Sequence, residues 1–249
     1  MIAVGLDSAT ALGGALVAQG VGEGETVEDT HVVVCAGAAD PIRAVDAALD
    51  AGATILVEQP TRIPRAHLDR LVADDRVRSG LHHRYDPSLQ RAAAAVRAGS
   101  IGLAWAANAE SVWPREGAEV TIANLLDALA MLTALRPQRC VRVAAETTIA
   151  AVAFGHGVVG VVTSVPCPPA VDPQSGYARL HVTGSHGAVE VVLGGPRLVR
   201  AGSGLGPAPL ERGSALRLLD AFEAGSAPLL REVTDLLRLL LPDSEEAAA

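Results

Sequence analysis

Two rhythms of apolar residues run along the chain, and one gives way to the other near residue 87. In the first stretch, short unbroken apolar runs alternate with helical spacing. Residues 1–6 are apolar and end at Asp7, and SATALGGALVAQGV carries Ala and Leu on one helical face. THVVVCAG (30–37) and TILVE (54–58) are continuous β-branched runs, the pattern of strands buried on both faces. Between them, DPIRAVDAALDAGA predicts a helix with Asp40 as N-cap, Pro41 at N1 and Gly52 as C-cap. IPRAHLDRLVADD predicts another helix, VRSGLHHRY (77–85) a third strand, and DPSLQRAAAAVRAGSIG a helix that repeats the start signal with Asp86 and Pro87. Strands that alternate with helices predict a parallel sheet in an α/β layer.

Beyond residue 87 the period shortens. IGLAWAANAE, CVRVAAETTIAAVAFGHGVVGVVTSVPCPP and YARLHVTGSHGAVEVVLGG alternate apolar and polar positions around the turns FGHG and GSHG. They predict antiparallel strands with one face solvated or turned to a ligand. EVTIANLLDALAMLTALRP is an amphipathic helix between them, and ALRLLDAFEAGSAPLLREVTDLLRLLLPD reads as a closing helix pair. The expected fold is therefore α/β followed by α+β. The domains are expected at 1–87 and 88–249, with the last helices free to pack back on the first.

Composition narrows the function. The 249 residues are 49% hydrophobic, enough for a sizeable core. No apolar run reaches the roughly 18 residues of a membrane span. The opening MIAVGLD lacks the basic region of a signal peptide. Three cysteines (Cys35, Cys140, Cys167) stand without metal spacing, as expected of free thiols in a cytoplasmic protein. A net charge of −8 with no basic block argues against nucleic acid as a partner. All 20 basic residues are arginine, which excludes Schiff-base chemistry and lysine acid catalysis throughout the chain. No zinc spacing and no Gly-x-Ser-x-Gly elbow is present. GVGEGE (20–25) and GSGLG (202–206) read as turns.

The order of four segments resembles the Gfo/Idh/MocA family of nicotinamide-dependent oxidoreductases. VEDTHVVVCAG followed by AALDAGATILVEQP is similar to that family's strand, helix and Glu-Lys-Pro strand end. HHRYDPSLQRAAAAVRAGSIG is similar to its Arg-Phe-x-Pro helix. LHVTGSHGAVEV is similar to its hairpin, and LRLLDAFEAGSAPLLREVTDLLRLL to its C-terminal helices. The resemblance implies a Rossmann domain, an open α+β domain whose sheet face serves oligomerisation, and a substrate held between nicotinamide and sheet.

Several residues depart from that pattern. No Gly-x-Gly-x-x-Gly follows MIAVGL, although the pyrophosphate needs bare backbone at a helix N-terminus. By its spacing from Gln59, MIAVGLD matches the second Rossmann strand, with Asp7 as the ribose-binding acid should a dinucleotide bind. The alternative is an eroded first strand. Gln59 stands in place of the family's lysine. It can hydrogen-bond a ligand but cannot act as an acid near pH 7. Val120 and Asn124 stand in place of an Asp and a His, with Asp127 one turn on, and Pro41 stands where a histidine is common.

What remains for chemistry is His82-His83-Arg84-Tyr85-Asp86. Strand alternation would put His82 and Arg84 on one face and His83 and Tyr85 on the other. His82, His83 and Tyr85 are the candidate catalytic groups. Gln59, Arg84, Trp105, Asn108, Trp113 and Asn124 are the candidate substrate contacts, with Arg115 and Glu116 nearby. His156 and His186 fall in turns, and His181 on a strand. The expected function is non-redox proton transfer, dehydration or cyclisation on a small metabolite, with no cofactor. The alternatives are a scaffolding pseudoenzyme paired with an active relative, or an NAD- or NADP-dependent oxidoreductase with an unorthodox cofactor site. A homodimer through the open sheet, or a heteromer with a relative, is the expected assembly.

Overall fold

The computed structural model describes residues 1–6, 11–21, 24, 31–35, 37–113, 118–144, 147–166, 177–193, 199–201 and 214–240. Two compact units form. The first gathers Met1–His82 with Arg212–Asp235, and the second His83–Glu211 with Leu236–Ala249.

The first unit holds a parallel sheet of β1 (Ile2–Val4), β2 (His31–Val34), β3 (Thr54–Val57) and β4 (Val77–Ser79), in that spatial order. Val32, Val33, Ile55 and Leu56 are fully buried, as continuous apolar runs require. Helices α1 (Ala11–Ala18), α2 (Pro41–Asp50) and α3 (Arg65–Leu71) connect or flank the strands, and α6 (Ser214–Glu223) packs against α1. The Asp40 carboxylate caps α2 by accepting from the Arg43 backbone N–H at 3.0 Å. The C-cap of this helix is Ala51. Gly52 follows it at φ +80°, one place later than the sequence predicts.

The position of β1 corrects the register of the resemblance. Rossmann strands lie in the order 3-2-1-4-5-6, so the neighbour of the fourth strand is the first. Here β2, β3 and β4 run consecutively outward, and β1 pairs with β2 (Ala3 opposite Val33). Ile2–Val4 thus occupies the place of the first strand, not the second, and α1 follows it directly. Among the described residues, no strand lies on the far side of β1, where the second and third Rossmann strands would stand. The chain itself covers part of the edge this leaves. Gly24 donates its N–H to the Ala3 carbonyl at 3.0 Å, and a Cβ there would meet the Ile2 side chain at 1.8 Å.

The predicted strand 77–85 ends early. Gly80 donates to the Val57 carbonyl at 3.0 Å and lies so close to Glu58 that a Cβ would meet its backbone at 3.2 Å. The chain then turns through a 3-10 segment, His83–Tyr85, closed by Asp86 N–H donating to the His83 carbonyl at 2.9 Å. That turn delivers Asp86 as N-cap of α4 (Pro87–Arg97), where its carboxylate accepts from Ser88 N–H at 2.8 Å.

The second unit is built on seven strands: β5 (Ala104–Trp113), β6 (Pro137–Ala144), β7 (Thr148–Phe154), β8 (Val159–Pro166), β9 (Tyr177–Gly184), β10 (Gly187–Leu193) and β11 (Val199–Ala201). Their spatial order is β11-β10-β9-β5-β8-β7-β6. The sheet is mostly antiparallel, as expected, and β5 and β8 are its one parallel pair among the described strands. The helix α5 (Ala118–Thr133) carries the chain away from β5, and the β6–β7–β8 meander returns beside it in the same direction. Both predicted turns are present, with His156 at φ +59° in the first and Ser185-His186 forming the second. α5 and α4 pack together, α5 covers one side of β5 and β8, and the other side of the sheet carries no element of this unit among the described residues. The last helix, α7, spans Leu230–Leu240. Among the described residues, no helix is long and apolar enough to cross a membrane.

Candidate functional site

Three places on the two units could do work. The first is a crevice of about 880 Å3 at the carboxyl ends of β1 and β2, where parallel sheets bind ligands. It is lined by Val4, Gly5, Gly37, Ala38, Asp40 and Arg43, among others. Gly5 turns the chain at φ +68°, and its carbonyl accepts from Gly37 N–H at 3.0 Å. A Cβ on Gly5 would lie 2.0 Å from the Ala38 nitrogen. Its bareness therefore serves the packing of the β1 end against the β2 end.

The fold implies a dinucleotide at this crevice, and the residues can be tested against one. With β1 as first strand, Gly5, Asp7 and Thr10 stand at the Gly-x-Gly-x-x-Gly spacing. The middle glycine lets backbone approach the pyrophosphate and the last brings the helix close. Asp7 and Thr10 lie outside the described residues; neither is a glycine, so the sequence lacks the bare positions that motif supplies. Asp40 lines the crevice with a carboxylate, already engaged in capping α2. Arg43 is the crevice's only cation among its described lining residues. These residues do not fit a pyrophosphate held in the usual way.

Gln59 follows the end of β3, half-buried, and opens the turn Pro60–Arg62 without a side-chain capping bond. Its carbonyl accepts from Arg62 N–H at 3.1 Å, and the adjacent Glu58 is buried. The amide at this strand end can donate and accept, and nothing in it titrates.

The second place is the predicted His-His-Arg-Tyr-Asp cluster, which the structure divides. His82 closes the first unit, only 4% exposed, with its ring Nδ1 3.2 Å from the Gly80 carbonyl. His83, also buried, and half-buried Tyr85 belong to the 3-10 turn of the second unit. Strand alternation does not apply to a turn, so the expected pairing of faces falls away. Arg84 is committed to Asp127 on α5: Nε donates to Oδ2 at 3.0 Å and Nη2 to Oδ1 at 2.5 Å. This two-pronged bond ties turn to helix. One turn earlier, Asn124 is 2% exposed, with Nδ2 donating to the Val120 carbonyl at 3.3 Å. Asp127 appeared in the sequence only by its spacing from Asn124. Its partner was not legible, because the two lie 43 positions apart.

The third place is the open face of the seven-stranded sheet. Asn108 is exposed there, and its Oδ1 accepts from Val161 N–H at 2.9 Å. Trp105 is 60% exposed. Trp113 ends β5, with its side chain outside the described residues, as are Arg115 and Glu116. His181 lies between Asn108 on β5 and Glu190 on β10. A hollow of about 280 Å3 collects Asn108, Glu110, Thr163, Arg179, His181 and Glu190. Beside it, a hollow of about 500 Å3 is lined by Val141, Ala151, Val159 and Val161. His156 and His186 are exposed at their turns. Cys140 on β6 offers no ready nucleophile, since burial pushes its thiol up and Arg142 only partly offsets this. Among the described residues, no group of three His, Cys, Asp or Glu is placed to hold a metal.

No family model matches the chain, and no curated protein matches it. Solved structures do. An oxidoreductase domain protein from Kribbella flavida superposes with TM-score 0.66 at 17% identity, over 99% of this chain and 88% of its own. UDP-N-acetylglucosamine 3-dehydrogenase GnnA from Acidithiobacillus ferrooxidans gives 0.63 at 18%, over 90% and 81%. The WlbA dehydrogenase from Bordetella pertussis, solved with NADH and UDP-GlcNAcA, gives 0.63 at 18%, over 96% and 85%. At such identities the likeness is one of fold. The chain has the fold of Gfo/Idh/MocA-type oxidoreductases, a shortened Rossmann-like sheet followed by a mixed-sheet domain.

Proposed function

We propose that this chain keeps an oxidoreductase fold without dinucleotide-dependent hydride transfer, and works as a binding or scaffolding protein through the open sheet face of its second unit. The observation that carries this is the outward side of β6, β7 and β8. Val141, Val143, Ile149, Val159 and Val161 stand there between 43% and 64% exposed. A contiguous exposed apolar patch of this kind is often functional, and a sheet face suits an interaction surface. The places that would supply a proton support the same reading. Gln59, Val120 and Asn124 do not titrate, and Asp127 is held by Arg84. A non-redox proton transfer by His82, His83 and Tyr85 is the weaker reading, because both imidazoles are buried.

The crevice at β1 and β2 favours a second reading, an NAD- or NADP-dependent oxidoreductase that holds its cofactor without the glycine loop. Calorimetric titration of the purified protein with NADH and NADPH decides between them. The proposal expects no heat of binding up to about millimolar ligand. Saturable binding at about micromolar concentration overturns it.

A further inference from the structure

The open face of the seven-stranded sheet changes character from strand to strand. One row of neighbouring outward positions reads Val141, Ala151, Val161, Asn108, His181, Glu190. The columns β6, β7 and β8 supply its apolar half, and the columns β5, β9 and β10 its polar half. Two residues further along the strands, Glu110 on β5 faces Arg179 on β9. The hollow of about 280 Å3 lies over the polar columns and the hollow of about 500 Å3 over the apolar ones. Asn108 and Val161 line both.

The polar hollow holds charge that the fold does not use. Two other ion pairs of this unit tie elements together and are closed, Arg84 to Asp127 at 2.5 Å and Arg142 to Glu119 at 2.6 Å. Arg179 Nε stands 3.6 Å from Glu110 Oε1, beyond a hydrogen bond, and both side chains are about half exposed. The guanidinium therefore keeps donors for a further acceptor. Asn108 spends its Oδ1 on the Val161 N–H at 2.9 Å, which leaves its Nδ2 to donate. Glu190 lines the same hollow, and as a diagonal cross-strand neighbour it lies about 7 Å from Arg179.

Resting on the reading of this face as the working surface, we infer that the polar hollow binds a free α-amino acid with an apolar side chain. Its carboxylate finds donors in Arg179 and the Asn108 amide, and its ammonium finds an acceptor in Glu190. A lone anion would meet the carboxylates of Glu110 and Glu190 in the same hollow, and a lone cation would meet the Arg179 guanidinium. A ligand that carries both signs on adjoining atoms answers both. Its side chain then lies against Val161, the wall shared with the hollow of Val141, Ala151 and Val159. Because the charged groups are half exposed, water and salt screen these contacts, and the affinity belongs at about millimolar.

Saturation-transfer NMR on the purified protein tests this with three probes: L-leucine, N-acetyl-L-leucine and L-leucine amide. The second keeps only the carboxylate, as a peptide C-terminus does, and the third only the ammonium, as a peptide N-terminus does. The inference expects L-leucine to saturate at about millimolar concentration and each derivative to bind at least about tenfold more weakly. It expects Arg179→Gln and Glu190→Gln, at a surface where neither should alter the Tm, each to weaken L-leucine by a similar factor. No saturable binding of L-leucine up to about 50 mM overturns it. Derivatives that bind as well as L-leucine overturn it too, because the contact is then with the apolar columns alone. So does binding that survives both substitutions, which places the ligand elsewhere on the molecule. Each of these failures leaves the reading of the face standing, since the exposed valines carry that reading and hydrogen exchange across β6, β7 and β8 tests it. The absence of hydride transfer is tested separately by the NADH titration.

Discussion

The two sheets solve the same problem in opposite ways. The parallel sheet buries both of its faces, so its strands read VVV and ILV without a polar residue between. The seven-stranded sheet covers one face with helix and leaves the other outward, so β7 reads buried, exposed, buried, exposed along most of its length. The difference teaches where each unit can act. A sheet buried on both faces can only offer its strand ends, and here those ends are occupied by Gly5 packed on Ala38, an amide at Gln59 and a carboxylate engaged in capping. A sheet with one open side offers a surface, and here β6, β7 and β8 give that surface an exposed apolar side.

The sharpest way to break the comparison is truncation in each sheet. Leu56→Ala, fully buried in β3, is expected to cost about 3 kcal/mol. Val161→Ala, on the open face, should cost under about 0.5 kcal/mol in dilute protein. Urea unfolding of both variants checks this, and equal losses would mean that the open face is core. Next comes Gly5→Ala. A side chain at φ +68° against the Ala38 backbone should cost about 2 kcal/mol in the same assay. A neutral result would free Gly5 from packing and return it to a ligand-binding role.

Arg84→Ala should cost about 1.5 kcal/mol, because it strands the mostly buried Asp127 carboxylate. The double variant with Asp127→Ala should recover part of that loss, as a structural pair does. Full additivity would leave Arg84 available as a site residue. The smallest effect concerns pH. Bonds from the Arg76 guanidinium hold the Asp74 carboxyl below its ordinary value, against the opposing effect of partial burial. A lowered folded-state pKa gives stability that is present above the unfolded value and lost as pH falls through the folded one. The Tm gap between wild type and Asp74→Asn should therefore be open near neutrality and close in acid.

The first unit was largely legible from the chain. Asp40-Pro41 and Asp86-Pro87 announce two helices by chemistry that is local, and a run such as HVVV can hardly be anything but a buried strand. What the chain does not display is spatial order. Nothing in MIAVGL says whether it lies beside HVVV or one strand further out, and only the pairing of Ala3 with Val33 places it. The same limit hid the parallel pairing of β5 with β8, which depends on how a meander returns. The strand predicted over 77–85 stopped short for a related reason. VRSGLHHRY has the alternation of a strand, but Gly80 packed on Glu58 stops the ladder, and the residues after it serve the cap of α4. The open face was visible as alternation, while its division into apolar and polar columns needed the register of six strands.

The central claim is that this chain works through its open sheet and not at its strand ends. Amide hydrogen exchange, followed with and without about millimolar NADPH and at two protein concentrations, reads both regions in one experiment. The account predicts that NADPH leaves Gly37–Asp40 unchanged, whereas raising the protein concentration slows exchange across β6, β7 and β8. NADPH protection of Gly37–Asp40, with the sheet indifferent to concentration, would contradict it.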